Sequence, residues 1–191
     1  MRAGWLAFLV LLTGCVFRDA EPRYFRPGSA AIDGAEADPP PAHTGVPIRL
    51  RQVRSTPFLR ERIVWRASAV EYGLYEEQRW SEPPTSYVER ALQTALRRTP
   101  GIRLTDDLHA AALQIDVVAF DDVLSPARVA TVTLIVLLRD GARRRLLDRT
   151  FSAEAPITGP QSAATAEAMG RALDQVVAEV AAAVAAAVHA G

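Results

Sequence analysis

The sequence predicts an α+β fold: a mixed, mostly antiparallel sheet with two helices packed on it, after a signal peptide and a flexible tether. Three features point to it. Leu113-Gln114-Ile115-Asp116-Val117 alternates apolar and polar residues with period two, the mark of a half-buried strand. Two other stretches repeat apolar residues every three or four positions, as helices do. They are Val88, Ala91, Leu92, Ala95, Leu96 and, later, Met169, Leu173, Val176, Val180, Val184, Val188. Ahead of both, charge, glycine and proline mix without period. The resulting organisation is a leader over 1–14, a tether over 15–45 and one domain over 46–191.

The leader begins with one positive charge in Met1-Arg2-Ala3-Gly4 and continues as an apolar run from Trp5 to Leu12. A spanning helix needs roughly 20 apolar residues, so this run is too short to span and fits a secretory signal. It ends in Leu12-Thr13-Gly14-Cys15, which resembles the bacterial lipoprotein processing box. The resemblance implies diacylation of Cys15, cleavage after Gly14 and acylation of the new amino terminus. That covalent lipid is the only prosthetic group expected, and two or more acyl chains anchor stably. Val16, not aspartate, follows the cysteine, which by the sorting rule for such proteins points to the outer membrane with the chain facing the periplasm.

In the tether, Pro39-Pro40-Pro41 is the stiffest piece, and a short strand is expected around Tyr24-Phe25. Strands follow at Ile48–Leu50, Ile63–Trp65 and Val70–Leu74. Ser81 is placed to cap the first long helix, with Pro83 and Pro84 in its first turn and Pro100-Gly101 as its stop. Leu113 to Phe120, Val129–Leu138 and Leu147–Ala153 form three strands joined by turns at Ser125-Pro126 and Asp140-Gly141, most simply an antiparallel meander. Gly159-Pro160 opens the last helix. Its final turns carry only alanine and valine, by helix propensity or by close packing against another helix or subunit.

Composition narrows the chemistry. With 49% hydrophobic and 23% charged residues the chain builds one ordinary core, and 22 basic against 22 acidic residues leave no field favouring nucleic acid. Every basic residue is arginine, and neither lysine nor asparagine occurs. Schiff-base chemistry, a P-loop lysine and N-glycosylation are thereby excluded. One cysteine excludes an internal disulfide. His43, His109 and His189 have no metal-ligand spacing, so no metal and no catalytic set is expected. The carboxylate pairs Glu76-Glu77, Asp106-Asp107 and Asp121-Asp122 fit solvated turn caps, leaving a cell-envelope enzyme as a remote alternative.

Two surface candidates remain. Arg143-Arg144-Arg145 makes a basic hairpin tip: a solvated turn, a contact for anionic lipid head groups, or one for an acidic partner. Tyr72, Tyr75, Trp80 and Tyr87, with Trp65 upstream, are either core or partner contacts. Trp80 and Arg79 follow a polar run, and Tyr, Trp and Arg are the types enriched at binding hot spots. Tyr72, Tyr75, Arg79 and Trp80 are therefore the candidate partner-binding residues.

These same residues carry a family resemblance. Pro57-Phe58-Leu59-Arg60 leading to Ile63-Val64-Trp65-Arg66, then Tyr72, then Arg79-Trp80-Ser81-Glu82-Pro83-Pro84 and an amphipathic helix resembles the ABC-type transport auxiliary lipoproteins. That family includes paraquat-inducible protein C and the lipoprotein partners of mammalian-cell-entry (MCE) systems. The resemblance implies a non-catalytic outer-membrane lipoprotein. Its partners would be a periplasmic MCE-domain protein and inner-membrane ABC transporter subunits, in moving phospholipid or another hydrophobic substrate between membranes. A homo-oligomeric ring is implied by resemblance only. The alternative is an outer-membrane assembly lipoprotein that scaffolds or plugs a β-barrel.

Overall fold

The computed structural model describes residues 21–34, 44–160 and 162–190. The leader, Cys15 and the triple proline lie outside them. In chain order the elements are β1 (Arg23–Phe25), α1 (Ala30–Asp33), β2 (Val46–Leu50), β3 (Arg54–Ser55), β4 (Arg62–Arg66), β5 (Tyr72–Trp80), α2 (Pro84–Arg97), β6 (Ile102–Leu104), β7 (Ala111–Val123), β8 (Val129–Arg139), β9 (Arg145–Pro156) and α3 (Ser162–Ala190).

One mixed sheet organises all nine strands, with β7 at its centre. Along one edge β7 pairs antiparallel with β8, and β8 with β9, so the expected meander is present at full length. Along its other edge β7 takes β2, β3 and β4 in succession, all parallel, as one strand interrupted twice. Outside these, β6 pairs parallel with β2, β5 antiparallel with β4, and β1 parallel with β5. The long ladders are antiparallel and the short ones mostly parallel.

The core lies between this sheet and its helices. Leu113, Ile115 and Val117 of β7 share a face with Leu138, Val136 and Leu134 of β8, and all six are buried. The ladder then shifts register between Val117 and Ala119, a bulge that adds one residue to β7. Beyond it the even-numbered residues Phe120 and Asp122 face the core. β8 keeps one phase throughout, with Ala130, Val132, Leu134, Val136 and Leu138 all inward. Each such aliphatic side chain contributes roughly 1.5–3 kcal/mol by burial. The opposite face carries no helix and is largely polar: Thr133 and Ser152 share a 2.8 Å hydrogen bond, and Arg54 donates twice to Asp116.

α3 is long and apolar enough by length and composition to cross a membrane, but its apolar stripe is committed elsewhere. Met169, Leu173, Val176, Val177, Val180 and Val184 are buried against β8, β9 and α2. At its end Val188 and His189 lie near Val46 and Gly101. α2 starts two residues later than a Ser81 cap would place it: Pro83 precedes it without a side-chain cap bond. Ser81 Oγ instead lies 2.8 Å from the Tyr87 hydroxyl, which also accepts the Glu82 N–H.

The segment expected to be a tether is partly built into the domain. The strand around Tyr24-Phe25 is present as β1, and α1 is a third helix beside the two expected. Asp174 of α3 accepts from Ser29 Oγ (2.6 Å) and from the N–H groups of Ala30 and Ala31 (2.8 and 3.1 Å). Gly28 N–H donates to the Ala166 carbonyl. This approach needs Gly170, because a Cβ there would collide with the Gly28 backbone. Gly170→Ala would add about 1 kcal/mol of helix propensity, yet it should drive residues 28–31 off α3. Limited proteolysis should then cut within 21–34 while the remaining core resists.

Candidate functional site

The structure separates the four aromatic-segment residues that the sequence grouped. Trp80 is 1% exposed and packs edge-on against Tyr87 and Phe120, with centroids 6.4 and 5.4 Å apart. It is a core residue and offers a partner no surface. The reason is a bulge: β4 and β5 pair through Val64 and Leu74, then only again through Arg62 and Arg79. In the shifted stretch Glu76 and Glu77 face solvent while Tyr75 and Gln78 stay half-buried, and the strand ends with Trp80 inward.

Tyr75 is half-buried and donates to Asp122 Oδ2 at 3.0 Å. Burial, and then the Asp122 carboxylate, push its phenol up to about 12. Asp122 is fully buried and also accepts Arg128 Nε (3.1 Å), Arg128 Nη2 (2.5 Å) and Thr165 Oγ1 (3.3 Å). The pair Asp121-Asp122, expected in a solvated turn, lies instead in β7 with both residues buried. Around Asp122 the network ties β5, β7, the β7–β8 loop and α3 together, which is a structural task. Arg79 is half-buried, and its Nε has no hydrogen-bond partner.

Only Tyr72 of the four is well exposed, at 58%. Its ring meets Phe58 edge-on at 5.0 Å. The two rings wall a groove of about 330 Å³ on the helix-free face, completed by Leu59, Val64, Val118 and, at its base, Arg66 and Asp121. Arg66 Nε stands 3.6 Å from Asp121 Oδ2, an ion contact too long for a hydrogen bond. The groove is thus apolar at its rim and carries one opposed charge pair below. Sequence reasoning took Tyr72 as a candidate, held Phe58, Leu59, Val64 and Arg66 only as family motif, and missed that Val118 and Asp121 join them. The signal was the phase change at Val117-Val118, which turns Val118 and Asp121 outward.

Burial holds the Asp121 carboxyl above its usual range, although the Phe120 N–H and Arg66 pull it down. The folded chain therefore holds this proton more tightly than the unfolded one, whose carboxyl titrates near 3.8. Between that value and the raised one, stability falls as pH rises. Asp121→Asn keeps an acceptor for the Phe120 N–H and removes the charge. It should melt higher at neutral pH, and the gain should vanish once the medium is acid enough to protonate both states.

The basic tip is largely self-neutralised. Arg144 Nε contacts Asp140 at 2.7 Å and Arg145 Nη1 contacts Asp148 at 2.8 Å, while Arg143 turns the chain with φ 66°.

Comparison with known proteins assigns the family. The model of the ABC-type transport auxiliary lipoprotein component matches residues 32–181, most of the chain. The chain belongs to this family. Auxiliary lipoproteins of this family serve ABC transport, which accords with the resemblance carried by Phe58, Trp65 and Trp80. The crystal structure of protein XCC0632 from Xanthomonas campestris, a DUF330 protein, superposes with a TM-score of 0.73 at 21% identity, covering 88% of this chain and 97% of that one. Protein CT253 from Chlamydia trachomatis gives 0.57 at 11% identity, over 78% and 100%. At these identities the likeness shows the fold alone. No protein of curated function matches the sequence.

Proposed function

We propose that this auxiliary lipoprotein is a non-catalytic, periplasm-facing component of the outer membrane, held by acyl chains on Cys15. It would anchor or receive the periplasmic conduit of an ABC/MCE system that moves phospholipid or another hydrophobic molecule between the two membranes. The observation that carries the proposal is the family match over residues 32–181. The lipoprotein box at Leu12–Cys15 supplies the anchor. The domain supports a binding role: it offers an apolar-rimmed groove beside Phe58 and Tyr72, while its buried polar network is fully occupied in holding the fold.

In-cell crosslinking of the tagged protein, followed by purification and mass spectrometry, tests this. Recovery of an MCE-domain protein or ABC subunits is expected, with both lost in the unanchored Cys15→Ala control, and self-crosslinked species would report a homo-oligomer. Recovery of a β-barrel instead would move the protein to envelope assembly.

A further inference from the structure

The strand directions give the domain two distinct ends. β7 starts beside the β8–β9 turn, where Ala112 pairs with Arg139, and finishes beside the β4–β5 turn, where Val123 pairs with Arg66. At about 3.4 Å per residue the strand separates these ends by about 40 Å. Exposed apolar side chains are divided unevenly between them. Val70, 89% exposed, sits in the β4–β5 turn, with the edge-on pair Tyr72 and Phe58 at the start of β5 and Leu124 just past β7. Arg60, whose Nε donates to the Pro57 carbonyl, is exposed beside Phe58. The far end carries the basic turn, one exposed leucine, Leu108, and a pocket walled by Ala110, Ala111, Leu146 and Val188 beside Arg144.

The chain enters from the apolar end. β1 runs parallel to β5, so Arg23 arrives from the side on which β5 begins. Cys15 stands only eight residues earlier, and eight residues of extended backbone reach at most about 28 Å. The proline-rich stretch near Pro40 comes after the docked β1 and α1, so it adds nothing to that reach. Traced back from Arg23, the chain leaves β1 toward the apolar end, and a lipid on Cys15 is within reach of it.

We propose that the β4–β5 end of the domain seats on the phospholipid surface that holds the Cys15 lipid, with Val70, Tyr72 and Phe58 entering the interface. This rests on Cys15 being acylated. Tyrosine is a residue of the head-group level, and partial burial of a valine and a phenylalanine yields a few kcal/mol at most. That is weak for recruiting a free protein but sufficient to orient one already tethered, whose second contact is intramolecular. Seated this way, the domain points Arg143, Arg144 and Arg145 away from its own membrane. The anionic-head-group role for that turn then fails on the anchoring bilayer.

The test uses the full chain expressed in a bacterium, purified from the membrane and reconstituted in phosphatidylethanolamine–phosphatidylglycerol vesicles containing brominated phosphatidylcholine. Val70→Trp and Arg143→Trp place a reporter at each end, both at exposed sites, and the unsubstituted protein supplies the background of Trp65 and Trp80. Intact mass reports acylation independently. Acylated protein whose added emission is quenched at position 70 and not at 143 is the expected result. Acylated protein unquenched at 70, or quenched equally at both, overturns the seating and leaves the anchor standing. An unmodified Cys15 overturns both.

Discussion

Replacing Asp122 by alanine is expected to cost the domain a large fraction of its stability. The carboxylate is fully buried and accepts from Arg128, Tyr75 and Thr165. Its loss strands the Arg128 guanidinium between α3 and the sheet. Breaking a buried pair in this way typically costs about 3–5 kcal/mol. The Arg128 side chain retains 30% exposure, so water compensates part of it and the loss should fall toward the lower figure. Against a domain stability of about 5–15 kcal/mol that is a displaced urea midpoint. Asp122→Leu combined with Arg128→Met should recover much of the loss, because no charge is then left unpaired. Were the double variant as unstable as Asp122→Ala, packing and not the stranded charge would be the cause.

Trp80→Ala should be comparably severe, for a different reason. The indole fills the junction of β5, α2 and β7 between Tyr87 and Phe120. Removing a buried tryptophan leaves a cavity and typically costs about 3–5 kcal/mol. Chemical denaturation and near-ultraviolet dichroism should both report it. Tyr72→Ala, at an exposed position, should stay within about 0.5 kcal/mol of the parent. The two aromatics, eight positions apart, thus divide cleanly: of the pair only Tyr72 has surface to offer, and any loss of partner recovery in a Trp80 variant reflects a damaged fold.

The pattern of what was legible follows from the physics of each element. α2, α3 and the meander were readable because each repeats its period over ten residues or more. β3 and β6 have two and three residues, too few for any period to register, and they exist only because β7 and β2 present free edges. α1 has four residues and no stripe of its own; Asp174, far along the chain, caps it. Trp80 was ambiguous because composition alone does not reveal the bulge that turns it inward. Asp121-Asp122 misled for the same reason, one strand over: the extra residue at Val118 carries a carboxylate pair that looks like a turn into the middle of a sheet.

The clasp between Ser29 and Asp174 joins residues 145 positions apart, and that distance sets an order of events in time. Its receiving side, the groove of α3 at Ala166, Gly170 and Asp174, does not exist until nearly the whole chain has been made and α3 has settled on β8 and β9. The clasp on α3 therefore closes late, although β1 on β5 and α1 on α2 need only the first half of the chain. Until then residues 28–31 lack their α3 partners, and the domain completes itself by drawing its own leash against its last helix.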